Sequence, residues 1–136
     1  MTHPRRPRSP NGTRLEVEPV RSYRLDDANY QALERRALAE PYPRTMSDIT
    51  RALIEAWTDG EITLTLIVRR RRSPDGTSTA GPCRSYRLGE DDWQAFKARC
   101  AEHGLTMTAA TLSLLVMWHR GLVEIEWLGD SVQVAS

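Results

Sequence analysis

The sequence predicts a mainly helical α+β protein built from two copies of one strand-helix-helix unit. The pentapeptide Arg-Ser-Tyr-Arg-Leu stands at residues 21–25 and returns unchanged at residues 84–88, 63 positions later. Each copy is followed by two stretches with helical spacing of apolar residues, the second of which ends in a Trp and then a Gly. Self-similarity at a fixed period indicates a repeated structural unit.

The first half of each unit reads as a short strand followed by a helix. Residues 20–25 alternate apolar and polar side chains, which is typical of a strand, and Asp26 is the expected N-cap of the helix that follows. Tyr30, Leu33 and Ala37 then form one helical stripe. The second copy repeats that stripe with Trp93, Phe96 and Cys100.

A second helix completes each unit. Pro41 and Pro43 are expected to end the first helix of copy one, and Gly104 ends its counterpart. Thr45 and Thr106 are the expected N-caps of the second helices. The copy-two helix is apolar nearly all round over residues 111–118, so we expect it to be the most buried element of the fold.

Additional short β-strands are predicted after each second helix. Residues 62–68 and 123–128 alternate apolar and polar side chains, and residues 131–135 follow a Gly-Asp turn, which predicts a C-terminal hairpin. Residues 15–18 could join the same small sheet. Its acidic outer face would suit self-association of chains lying side by side.

The chain divides into an arm, two repeats and a linker. We assign residues 1–19 to a basic, partly disordered arm, 20–68 to the first repeat, 69–82 to an Arg-rich linker and 83–136 to the second repeat. Clustered Arg side chains are typical of segments that contact a nucleic-acid backbone, although a solvated loop and a disordered tail explain them too. The basic residues of these arms are Arg5, Arg6, Arg8, Arg69, Arg70, Arg71 and Arg72.

Composition sets the outer limits on function. The 136 residues carry a net charge of +1, and 40% are hydrophobic, but no apolar run approaches the length of a membrane span. The basic N-terminus lacks the apolar core of a secretory signal, and Cys83 and Cys100 fit reduced thiols. We therefore expect a cytoplasmic, nucleoid-associated protein that is not inserted in a membrane.

Catalysis finds little support in the sequence. The three histidines, His3, His103 and His119, show no metal-ligand spacing. Phosphate-loop and nucleophile-elbow motifs are absent, and no carboxylate pair has a companion base. We expect no enzymatic activity, no metal and no cofactor.

Three segments carry a recognisable motif: residues 24–27 (Arg-Leu-Asp-Asp), residues 44–53 (Arg-Thr-Met-Ser-Asp-Ile-Thr-Arg-Ala-Leu) and, more loosely, residues 106–110 (Thr-Met-Thr-Ala-Ala). In these segments both repeats resemble the ribbon-helix-helix family of DNA-binding proteins. The resemblance covers roughly residues 20–60 and 83–121. Members of this family are usually homodimers, in which two subunits supply an antiparallel ribbon that fits the major groove.

The resemblance implies that one chain forms its own pseudo-dimer and binds double-stranded DNA. Residues 21–25 would pair with residues 84–88 within the molecule. The expected role is that of a transcriptional repressor. A partition-type centromere binder and an antitoxin-type protein-interaction module remain open as alternatives. A winged helix-turn-helix fold would leave the repeated strand unexplained.

Side-chain direction predicts which residues read bases. If Leu25 and Leu88 point toward the helices, both Tyr side chains point inward as well, and Ser22, Arg24, Ser85 and Arg87 point outward. Val20 and Cys83, where the family often has a polar reader, would contact a thymine methyl or nothing. A slip of one residue would instead expose the alternative set. That set is Arg21, Tyr23, Arg84 and Tyr86.

The second helices are expected to supply phosphate contacts. Free backbone N–H groups and the positive end of the helix dipole favour an anion at each N-terminus. Thr45 and Thr106 could equally serve only as helix caps. The candidate phosphate-binding residues are Arg44, Thr45, Met46, Ser47, Thr106, Met107 and Thr108.

Overall fold

The computed structural model describes residues 18–40, 44–68 and 81–125. Its elements are β1 (Val20–Arg24), α1 (Asp27–Leu38), α2 (Met46–Thr58), β2 (Cys83–Arg87), α3 (Glu90–Glu102) and α4 (Met107–His119). The described part of the chain is therefore mixed α+β and mainly helical, as predicted. None of its helices is long and apolar enough to cross a membrane.

The two strands pair with each other in antiparallel register. Ser22 lies opposite Ser85, its equivalent in the other copy, so a local twofold axis passes between them. Hydrogen bonding continues one step beyond the strands at both ends. Leu25 N donates to Pro82 O at 3.1 Å, and Leu88 N donates to Pro19 O at 3.2 Å.

Local sequence explains the helix boundaries. The side chain of Asp26 accepts from Asn29 N, and Thr45 and Thr106 cap α2 and α4 in the same way, as predicted. The α3 helix begins after Gly89 without a side-chain cap, but its first turn carries three acidic residues, which favour a helix N-terminus. Pro41 and Pro43 lie outside the described residues, and α1 ends at Leu38.

Both repeats share one hydrophobic core. The α2 helix packs against β2 and α3 of the second repeat as well as against α1, and α4 reaches back to α1 and β1. Trp57, Phe96 and Trp118 are fully buried, with the rings of Trp57 and Phe96 edge to face at 5.9 Å. Burial on this scale is the main stabilising force, and it requires both repeats.

The predicted strands after the second helices are wrong for the described residues. Residues 62–68 and 123–125 are not in a strand. Ile62 and Leu64 pack against the core, and Val68 N donates to Ser113 Oγ at 2.8 Å, so the first of these segments reaches α4. The alternating pattern of residues 62–68 reflects one face turned to the helices, and no strand within the described part of the chain pairs with it. Residues 15–17, 126–128 and 131–135 lie outside the described part.

The prediction that α4 is the most buried element is also wrong. Ten residues of α2 are buried, against eight of α4. The difference comes from charged side chains of α2. Arg51 is 2% exposed and lies 3.8 Å from Asp48, 3.9 Å from Glu55 and 3.9 Å from Glu18. Hydrophobic patterning misses a buried ion cluster, because such charges are read as solvated.

Candidate nucleic-acid interface

One face of the ribbon carries all four predicted base-reading residues. Ser22, Arg24 and Ser85 are exposed, and Arg87 is half-buried. Strand alternation places them on the same side of the ribbon, together with the flanking Val20 and Cys83. The four polar side chains therefore form one patch centred on the local twofold axis. We call these six residues the ribbon face.

The opposite side of the ribbon is buried, so the alternative register is wrong. Tyr23 is 4% exposed and Tyr86 is 2% exposed, with ring centroids 6.1 Å apart. Burial raises the pKa of Tyr23 to about 12 and that of Tyr86 above its usual value as well. A slip of one residue would move both rings from the core into water, and the hydrophobic burial of the two rings would be lost.

Each buried tyrosine is hydrogen-bonded to the second helix of its own repeat. Tyr23 is hydrogen-bonded to the hydroxyl of Thr50, and Thr50 Oγ1 in turn donates to Met46 O at 2.7 Å. Tyr86 makes the same contact with Thr111 in the other repeat. The ribbon is thus tied to α2 and α4 by matching chains of hydrogen bonds.

Arg21, which also belongs to the alternative set, contacts residues of the second repeat. Its guanidinium lies 4.4 Å from the centroid of the Trp93 ring, and its Nη2 donates to Glu90 Oε2 at 2.9 Å. Its Nε donates to Leu88 O at 3.4 Å. Hydrogen bonds from Gln94 and then from Arg21 lower the pKa of Glu90. Arg21 therefore ties β1 to the start of α3.

Arg84 makes the equivalent set of contacts in the opposite direction. It lies 4.1 Å from the centroid of the Tyr30 ring, and it donates to Leu25 O at 3.0 Å and to Asp27 Oδ1 at 2.8 Å. The first arginine of each pentapeptide thus joins the two repeats, and the second arginine belongs to the ribbon face. Burial of the tyrosines between them imposes this division.

The two arginines of the ribbon face use equivalent carbonyl partners. Arg87 Nη1 donates to Glu18 O at 2.8 Å, and Arg24 Nη1 donates to Gly81 O at 3.4 Å. A guanidinium has five N–H donors, so each of the two arginines retains donors for a ligand. Their planar forks match the O6 and N7 acceptors of guanine.

The N-terminus of α2 lies beside one end of the ribbon. Arg87 N donates to Ser47 Oγ at 3.2 Å. Thr45 Oγ1 caps the N–H of Asp48, so the N–H groups of Met46 and Ser47 precede the first intrahelical bond. The side chain of Met46 is buried, which leaves only its backbone able to contact a phosphate.

The N-terminus of α4 is built in the same way. Thr106 Oγ1 accepts from Ala109 N at 3.0 Å, so the N–H groups of Met107 and Thr108 precede the helical ladder. No acidic residue lies in the first turn of α4, whereas α2 carries Asp48 there. Capping and anion binding use different N–H groups, so a cap role for Thr45 and Thr106 does not compete with a phosphate site.

Residues 5, 6 and 8 and residues 69–72, the predicted basic arms, lie outside the described part of the chain. Within the described part, no group of three or more His, Cys, Asp or Glu side chains could hold a metal ion. Arg44 is half-buried at the start of α2.

Sequence reasoning missed the residues that extend the ribbon. Pro19 and Pro82 stand at the same spacing of 63 as the pentapeptides, and this spacing could have revealed them. Their carbonyls accept the last ribbon hydrogen bonds. Gly81, just before Pro82, has φ +85°, and a Cβ there would lie 2.6 Å from Asp26 N. Only glycine fits this close approach.

Comparison with known proteins yields no relative: no family model, no curated protein and no solved structure matches this chain. A functional assignment therefore depends on the ribbon face and the two helix N-termini.

Proposed function

We propose that this chain is a sequence-specific double-stranded DNA-binding protein, a transcriptional repressor that inserts the β1–β2 ribbon into the major groove. The proposal treats the chain as an intramolecular ribbon-helix-helix pseudo-dimer. One observation carries it: four polar side chains project from one face of the two-stranded ribbon that the described residues form. The major groove is wide enough for such a ribbon, and bases present distinct hydrogen-bonding patterns there.

The ribbon face supplies the sequence-reading part of the proposal. Arg24 and Arg87 each contact a guanine, and Ser22 and Ser85 hydrogen-bond the bases between them. A good bidentate contact discriminates against a wrong base by about 1–3 kcal/mol. The local twofold axis between the serines gives the two arginines related but separate base pairs to read.

The N-termini of α2 and α4 position the protein on the DNA backbone. The N–H groups of Met46 and Ser47 on one side, and of Met107 and Thr108 on the other, bind backbone phosphates that flank the groove. Such contacts set orientation and register and carry no sequence information. The hydrogen bond from Arg87 N to Ser47 Oγ supports this arrangement, because it fixes a helix start beside the ribbon.

Joining both repeats in one chain changes how the two-stranded ribbon forms. A homodimer assembles its ribbon only when two protomers meet, so its DNA affinity depends on protomer concentration. Here the second strand is supplied within the molecule. The ribbon is complete at any protein concentration.

A selection of bound sequences from random duplexes tests the proposal. The selected site is then titrated with Arg24→Ala and Arg87→Ala at fixed salt. Each change is expected to weaken binding about 10- to 100-fold and to relax the preference at one base pair. Arg120→Ala removes the same charge from an exposed position at the far end of α4 and serves as the matched control. Unchanged binding by both ribbon variants, or no salt-dependent affinity for any duplex, would overturn the proposal.

A further inference from the structure

The ribbon face is symmetric at its centre and unequal at its ends. The local twofold axis exchanges Ser22 with Ser85, and it exchanges Arg24 with Arg87. These pairs are identical residues. The same axis exchanges Val20 with Cys83, and these two equivalent residues differ.

Each unequal residue lies directly opposite one of the two arginines. Val20 pairs with Arg87, and Cys83 pairs with Arg24. The ribbon hydrogen bonds at Leu25 and Leu88 alternate with these positions, so the facing pairs are the closely spaced, non-hydrogen-bonded kind. Val20 and Cys83 are therefore immediate neighbours of the two guanidinium groups.

Val20 and Cys83 offer different chemistry to a base pair. Val20 is a branched apolar side chain that is 55% exposed, and it can pack against a thymine methyl. Cys83 is also exposed, but it is smaller and carries a weak S–H donor. The base pair beside Arg87 and the base pair beside Arg24 thus meet unlike surfaces.

The residues beneath the two ends are unequal as well. At one end the Glu18 carboxylate lies 3.2 Å from where a Cβ on Gly89 would stand. At the other end Asp26 occupies the position equivalent to Gly89, and Gly81 occupies the position equivalent to Glu18. Each end therefore has one acid and one glycine with their places exchanged. Arg87 is half-buried at the first end, and Arg24 is exposed at the second.

We infer that the DNA site is directional: a non-palindromic duplex whose two ends are read differently, by Val20 with Arg87 and by Cys83 with Arg24. This inference rests on the proposed function. Two identical protomers present identical ends and so favour a palindrome. A single chain with unlike ends favours different base pairs at the two ends and binds its site in one orientation.

Competition between three duplexes tests the inference. The first is the site selected by the natural chain, and the other two are palindromes made by duplicating either of its ends. The natural chain is expected to prefer the directional site about 10-fold over both palindromes, since one mismatched base pair costs about 5- to 100-fold. Binding is measured under reducing conditions at fixed salt.

Two variants place the same residue beside both arginines without touching the buried side of the ribbon. Cys83→Val is expected to shift the preference to the palindrome built from the end that Val20 reads. Val20→Cys is expected to shift it to the other palindrome. Ile67→Ala, at an exposed apolar position outside the ribbon, is the matched control and should keep the natural preference.

The outcomes separate the inference from the proposed function. If no duplex shows salt-dependent affinity, the proposed function fails and the inference with it. If the natural chain selects a palindrome, the chain binds DNA but the directional site is wrong. If the natural site is directional and neither variant changes the preference, Val20 and Cys83 do not set the direction and the inference is overturned.

Discussion

The guanidinium carbon of Arg84 lies 4.1 Å from the centroid of the Tyr30 ring, which belongs to the other repeat. The contact joins β2 to α1, and Arg21 and Trp93 join β1 to α3 in the same way. Each pentapeptide thus contains two arginines with opposite surroundings. One is held between the repeats, and the other stands on the ribbon face.

Replacing the two kinds of arginine should therefore have opposite effects. Arg84→Ala is expected to lower the free energy of unfolding by about 1–2 kcal/mol, because a hydrogen bond to Leu25 O and a cation–π contact are lost. The ion pair with Asp27 adds little, since that carboxylate is largely exposed. Arg24→Ala should leave stability within about 0.5 kcal/mol and weaken DNA binding. Urea unfolding and duplex titration of both variants check this, and the reverse pattern would contradict the assignment.

The buried tyrosines predict a loss of stability at alkaline pH. Tyr23 has an ordinary pKa of 10.0 and a folded pKa of about 12, mainly because burial disfavours the charged phenolate. The contribution of Tyr23 to the free energy of unfolding is therefore full below pH 10 and is lost as the pH rises through 12. The urea midpoint should fall across that window, and Tyr23→Phe should reduce the fall. A Cys100→Ala background is needed, because burial raises the pKa of that thiol to about 11. An identical pH dependence with and without Tyr23 would contradict the prediction.

Close approach at Gly81 predicts an unusually costly glycine substitution. Gly81→Ala is expected to lower the free energy of unfolding by about 2–4 kcal/mol, because the new Cβ would lie 2.6 Å from Asp26 N and φ is positive. Gly104→Ala is the matched control, since φ is +65° there and a Cβ would meet no atom within 4 Å. That variant should cost only about 1 kcal/mol. Equal losses of unfolding free energy for Gly81→Ala and Gly104→Ala would show that the backbone near Asp26 moves to accommodate the new Cβ.

The two cysteines should differ sharply in reactivity. Cys83 is exposed on the ribbon face, whereas Cys100 is 2% exposed and burial raises its pKa. A thiol reagent should modify one group in the native protein and two in urea. Cys83→Ser should remove the native reaction. A bulky adduct on Cys83 is expected to block duplex binding, while Cys83→Ser retains most of it. Two reactive thiols in the native protein would contradict this burial.

Local patterns were enough to predict the repeat, the helix caps and the inward tyrosines. Capping at Thr45 depends on neighbours within three residues, and strand alternation fixes Tyr23 relative to Arg24. The position of Arg21 could not be predicted in this way, because its partners Glu90 and Trp93 belong to the other repeat. The strand predicted at residues 62–68 fails for the same reason. Its alternating side chains meet helices, and among the described residues no strand lies beside it to complete a ladder.

The ion cluster of α2 yields a prediction about the divergence of the two repeats. At the positions of Asp48, Arg51 and Glu55, α4 has Ala109, Leu112 and Val116. Arg51→Leu alone is expected to lower the free energy of unfolding by about 3–5 kcal/mol, because it removes a buried cation that lies within 4 Å of buried carboxylates.

Adding Asp48→Ala and Glu55→Val to Arg51→Leu should recover part of that loss, although it removes two more charged groups. The reason is that buried charges cost most when their partner is missing, and apolar residues of suitable volume tolerate the same site. The triple variant copies the residues that already fold in α4. Urea unfolding of the single and triple variants measures the recovery. A triple variant less stable than Arg51→Leu would mean that Asp48 and Glu55 stabilise the fold through contacts other than those with Arg51.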